Sequence, residues 1–153
     1  MPATSDDTPM VACDLSDAPD TGAERLAEYG RLFDAAYVSR SRAGDGVRWV
    51  LRADPGIEEW ARDLADRENA CCTFMTSTVT REGGHILWHA ATVDDPTARA
   101  ALDLFFGLPD QRWSSAEQML ERWRATGAGL VVREGDGTRP ATAGEVRQGL
   151  GHP

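Results

Sequence analysis

Residues 54–74 read DPGIEEWARDLADRENACCTF, and the rest of the chain is organised around them. Ile57, Trp60, Ala61, Leu64 and Cys71 recur at helical spacing, which predicts one amphipathic helix ending in two adjacent cysteines. Asp54 is the expected N-cap and Pro55 the first helical residue, and Glu58 and Glu59 place negative charge where the helix dipole favours it. Glu68 falls on the same stripe, one turn after Leu64 and three residues before Cys71. An unpaired carboxylate among apolar neighbours has a raised pKa. Beside a thiol it can accept a proton or help bind a cation. Arg67 either pairs with a carboxylate or is solvated.

The vicinal cysteines set the chemistry to be considered. Neighbouring cysteines rarely close a relaxed disulfide with each other, because disulfide geometry prefers a larger Cα separation. They can offer two soft sulfurs to one thiophilic ion, or a nucleophile with a resolving partner. The spacing is not that of a zinc ribbon or finger. A free cysteine is also a small, often buried hydrophobe, so simple packing is the alternative.

At 153 residues the chain is long enough for one domain with a real core. Charged residues make up 27% and hydrophobic ones 41%, the balance of an ordinary globular protein. A formal net charge of -9 makes nucleic acid and anionic membranes poor partners. Every basic residue is arginine, which excludes lysine Schiff-base chemistry and a lysine-bearing phosphate loop. No stretch is long and apolar enough for a membrane span, and no secretory signal opens the sequence. A cytoplasmic location is therefore expected, with all three cysteines reduced.

Taken in order, residues 1–9 are expected to be disordered, followed by a core domain at 10–108. Val11 to Leu15 alternates as a short strand, from which Cys13 can approach the cysteine pair if its side faces the core. A helix is expected from Thr21 to Val38, with Leu26, Tyr29, Phe33 and Tyr37 as its stripe, then a loop at Ser39–Gly46. A strand at Val47–Arg52 leads into the central helix, followed by a hairpin of Thr73–Thr80 and His85–Val93 around Glu82-Gly-Gly-His85. His85, Leu87 and His89 share one face of the return strand, and His89 is a candidate metal ligand. A further helix starts at Asp95-Pro and stops at Gly107. This order predicts an α+β fold: a two-layer sandwich, mainly antiparallel, with helices packed on one face of the sheet.

Residues 109–153 read as a C-terminal helical appendage, either part of the same domain or a dimer arm. It has a capping box at Ser114 to Glu117, a helix bearing Met119, Leu120 and Trp123, a short edge strand at Leu130–Arg133 and a last helix from Ala143 to Leu150. His152 in the tail has no assigned role.

The segment from about Cys13 to Phe106 resembles small actinobacterial proteins with a Glu-x-x-Cys-Cys-x-Phe signature at a helix end followed by a β-hairpin, here Glu68, Cys71, Cys72 and Phe74. Such proteins often have proline where this chain has Thr73. The resemblance implies an association with MerR-type metal-responsive neighbourhoods, and so with heavy-metal or thiol stress. It implies no particular activity.

Three functions follow. The first is binding of a soft metal ion or metalloid (zinc, mercury or copper among the metals) by Cys71 and Cys72, with Cys13 as third ligand and Glu68 or His89 as auxiliary. The second is a cysteine-dependent enzyme on a small organic substrate, with Cys71 as nucleophile, Glu68 or His89 as general base, and Trp60, Phe74 and Trp88 lining a pocket. The third is a non-catalytic sensor or interaction protein, with Met119, Leu120 and Trp123 as a homodimer patch. Dinucleotide, nucleophile-elbow, metalloprotease and basic recognition-helix motifs are absent.

Overall fold

The computed structural model describes residues 12–44, 46–110 and 116–148. Along them run β1 (Ala12–Asp14), α1 (Gly22–Ala36), β2 (Tyr37–Ala43), β3 (Gly46–Arg52), α2 (Ile57–Cys71), β4 (Met75–Glu82), β5 (His85–Thr92), α3 (Pro96–Phe106), a 3₁₀ turn at Leu108–Asp110, α4 (Ala116–Ala125), β6 (Gly129–Glu134), β7 (Gly137–Pro140) and α5 (Ala143–Gln148). The expectations for residues 1–9, Val11, Ser114, Leu150 and His152 lie outside the described residues.

The β4–β5 hairpin turns through Gly83 and Gly84, with Gly83 at φ 60°, a left-handed conformation that glycine adopts without steric cost. The hairpin extends into a four-stranded antiparallel sheet of order β2-β3-β5-β4. Val47, Trp49 and Leu51 face inward as the alternation predicts, beside Ile86, Trp88 and Ala90 on β5. Helices α1, α2 and α3 pack on that face. Tyr29, Phe33, Trp49, Trp88 and Phe105 form its aromatic centre, with ring centroids 4.6–6.0 Å apart. The α+β sandwich is thus the observed fold.

Several local expectations are corrected. Residues 37–43 form a strand, where a continuation of the helix and then a loop were expected. Their outward Ser and Arg side chains hide the apolar alternation of a sheet strand. Arg42 bridges to Asp103 at 2.7 Å and Arg40 to Asp110, and both guanidinium groups lie over Phe106. Asp54 does not cap α2. Its carbonyl accepts from Ile57 N–H at 3.1 Å across Pro55 and Gly56, and Gly56 stands at φ 86°. Proline followed by glycine suits a type II turn, and that turn delays the helix to Ile57. α1 is capped by Thr21 in a reciprocal box with Glu24, and it buries Arg25, Tyr29, Leu32, Phe33 and Ala36. That face is rotated from the expected stripe.

The C-terminal segment forms part of a second, three-stranded sheet of order β1-β6-β7. β6 was expected at an edge but is central, because β1 pairs with it in parallel, with Cys13 opposite Leu130. Met119, Leu120, Leu130, Val132, Ala141 and Val146 join the same buried cluster as the first sheet. The patch imagined as a dimer surface is therefore consumed within the chain: Met119 and Leu120 are buried, and Trp123 Nε1 donates to Gly129 O at 3.0 Å.

Two glycines give opposite tests of this packing. An added Cβ at Gly46 would stand 2.0 Å from Ala90 O across the β3–β5 ladder, whereas at Gly30, inside α1, it would meet nothing within 4 Å. Gly46→Ala is expected to destabilise by about 1–3 kcal/mol through forced backbone displacement. Gly30→Ala is expected to stabilise by about 0.5–1 kcal/mol. Urea unfolding midpoints of the two variants should move in opposite directions.

Candidate functional site

The last turn of α2 delivers Glu68 and Cys71 to the interior, and Cys72 caps the helix with its N–H on Glu68 O at 2.8 Å. Cys72 also forms an isolated antiparallel bridge with Cys13 of β1, so the end of the helix meets the second sheet here. Cys13, Cys71 and Cys72 are all buried, and their three sulfurs lie within 4.8 Å of one another. The expectation that all three are thiols is not met: Cys13 and Cys72 are joined as a disulfide. Cys71 is free, with its sulfur 3.4 Å from that of Cys72. The vicinal pair does not close on itself.

Arg25 of α1 is the residue missing from the sequence reading. Its Nε and Nη2 each donate to Asp20 at 2.7 Å, and Nη1 reaches Glu68 Oε1 at 3.2 Å and Cys71 Sγ at 3.9 Å. Arg25 and Glu68 are each only 8% exposed. The network continues outward: Arg67 binds Asp20 at 2.8 Å and Glu28 at 2.6 Å, and Trp60 Nε1 donates to Glu28 at 2.7 Å. Arg67 is therefore paired, and so is Glu68. Burial alone would raise the Asp20 carboxyl, but the Arg25 hydrogen bonds and the charges of Arg25 and Arg67 hold it below its ordinary value.

Burial and the neighbouring Glu68 charge push the Cys71 thiol up to about 12, against the opposing pull of Arg25. Held there it is protonated near neutrality, which makes it a poor nucleophile. Burial, followed by the Glu68 charge, also raises the Tyr29 phenol.

A partly open cavity of about 100 Å³ adjoins the sulfurs. Leu26, Tyr29, Leu104, Phe105, Leu108 and Trp123 are among its walls, with Arg25, Glu68 and all three cysteines. The aromatics expected to line a pocket are not the ones found there: Trp88 and Phe74 are buried in the core, and Trp60 is turned toward Glu28. His89 does not join the cysteines. It lies on the sheet face opposite Trp88, with Nε2 3.4 Å from Ala43 O, because alternate residues of a strand point to opposite sides. The signal for Arg25 was its place one turn before Tyr29 on the helix that buries that tyrosine.

No family model, curated protein or solved structure matches the chain. No helix among the described residues is long and apolar enough to cross a membrane.

The raised Cys71 thiol makes stability depend on pH with a definite sign. Its proton is held more tightly in the folded protein than in the unfolded chain, so its contribution is complete below the ordinary value of 9.0 and is lost as pH rises towards about 12. Unfolding free energy should fall by about 1 kcal/mol over roughly the first pH unit above 9. Cys71→Ala should remove that part of the slope in chemical denaturation at stepped pH.

Proposed function

We propose that the protein binds one soft metal ion or metalloid through the sulfurs of Cys13, Cys71 and Cys72 when the Cys13–Cys72 disulfide is reduced. The observation that carries this reading is the convergence of three buried sulfurs within 4.8 Å. With metal–sulfur bonds of about 2.3 Å, a tetrahedral centre holds its sulfurs about 3.8 Å apart, so Cys13 and Cys72 must part once their bond is reduced for the triad to hold one ion. Soft thiolates select soft acceptors such as zinc, mercury or copper over magnesium or calcium. The signature from Glu68 to Phe74, with its resemblance to proteins near metal-responsive regulators, points the same way. Oxidation withdraws two of the three ligands, so the disulfide form is the unloaded state. The nucleophile reading is weaker, because Cys71 carries its proton and Arg25 is already engaged by two carboxylates.

Native mass spectrometry of phosphine-reduced protein with zinc or mercury is expected to show one ion per chain, lost in the oxidised protein and in the Cys71→Ser/Cys72→Ser variant. Undiminished loading of that double variant would refute the reading. Because binding displaces thiol protons, zinc affinity should rise with pH. Competition titrations with a chromophoric chelator across pH check the sign, and a flat profile would oppose it.

A further inference from the structure

We propose that the reduced site takes a trivalent metalloid of the arsenic type carrying one apolar carbon substituent, with Cys71 and Cys72 bound to the metalloid and the substituent seated in the adjoining cavity. This rests on the soft-ion reading above and names the class of ligand for the same site.

Three observations converge on it. The first is the cavity. A cavity needs about 10–15 Å³ on the same measure to hold a single water, whereas the space beside the sulfurs is about 100 Å³. A bare ion held by three sulfurs would leave most of it unused. Its walls include Leu26, Leu104, Phe105 and Leu108, which offer an ion no donor but match a small aryl or alkyl group.

The second is the spacing of the vicinal pair. Cys71 Sγ and Cys72 Sγ are 3.4 Å apart. At bonds of about 2.3 Å, a linear centre needs its sulfurs about 4.6 Å apart, and a pyramidal centre with angles near 95° needs about 3.4 Å. In the disulfide form the two sulfurs already stand at the spacing of a pyramidal centre, which has one remaining position for carbon.

The third is charge. Arg25 already faces both Asp20 and Glu68, so the buried cluster favours a neutral complex over an anionic one. A monoorganyl trivalent centre on two thiolates is neutral.

The binding step is a ligand exchange without redox change. Two arsenic–oxygen bonds of the organyl-arsonous acid break and two arsenic–sulfur bonds form. Each thiol proton leaves with a hydroxide as water. The preceding reduction of the disulfide uses a phosphine, which gains oxygen from water while the two sulfurs gain its two protons and the phosphine's electron pair.

The test titrates full-length, phosphine-reduced protein with phenylarsonous acid and, separately, with inorganic arsenous acid, following tryptophan fluorescence and intact mass. The phenyl compound is expected to bind at least about tenfold more tightly. Cys13→Ser should keep phenylarsonous binding while losing most arsenous acid affinity, because only the inorganic centre needs a third sulfur. Leu104→Trp, which fills the cavity, should abolish the phenyl preference while arsenous acid still binds, showing that fold and thiols are intact. Leu26→Trp repeats the test from α1. Equal or tighter binding of arsenous acid by the unmodified protein, or an unchanged phenyl preference in both filled variants, would overturn the proposal and leave the soft-ion reading standing. Failure of both arsenicals together with zinc and mercury would overturn both.

Discussion

Two sheets of different parentage meet at Cys72. It ends the helix that covers the four-stranded sheet, and through its backbone bridge and disulfide to Cys13 it holds the first strand of the three-stranded one. The bond spans 59 residues of sequence, a loop whose closure in the unfolded chain is worth about 4 kcal/mol on the chain-entropy account. Cys13 in turn lies opposite Leu130, so the join reaches β6 and the C-terminal hairpin. The sulfurs are thus placed at a structural seam as well as at a candidate site.

Charge burial is the second constraint. Arg25 is enclosed beside Asp20 and Glu68, and removing one partner of such a buried group leaves an uncompensated charge, typically costing about 3–5 kcal/mol. The cluster is more than a stabilising feature. It fixes Glu68 beside Cys71 and sets the protonation of the thiol, since the Glu68 charge and burial act in one direction and Arg25 in the other. The outward arm through Arg67 to Glu28 and Trp60 orients the same face of α2.

Periodicity made the central helix, the β4–β5 hairpin and the inward face of β3 legible, because each buries one side of a regular element. What was not legible is equally specific. β2 escaped because its Ser and Arg side chains carry no apolar alternation, and its partners Asp103 and Asp110 lie far along the chain. The central place of β6 depends on a strand more than a hundred residues earlier, as the pairing of Cys13 with Leu130 shows. No local pattern encodes that pairing. Arg25 was hidden by a small rotation of the α1 stripe. At the site, the cysteine pair and Glu68 could be read directly, and the approach of Cys13 followed once its strand faced the core. The cavity could not be read, because its walls come from elements scattered along the chain, from β1 and α1 through α2, β4 and α3 to α4 and β6.

The proposed function and the seam would be coupled through which sulfurs are used. Reduction opens the loop that the Cys13–Cys72 bond closes, and with it the conformational restraint on the unfolded chain. An ion held by all three sulfurs ties Cys13 to Cys72 again and restores a cross-link of the same span. A centre held by Cys71 and Cys72 alone would bridge adjacent residues and restore none, leaving β1 attached by its backbone pairing with β6, its backbone bridge to Cys72 and packing. The two proposed kinds of load would therefore produce different mechanical states of the same fold. One is cross-linked across the sheets, and the other is open at the seam with its apolar cavity filled. A site built only to hold a bare ion would have no need of the second arrangement, and the cavity beside the vicinal pair is what makes it available.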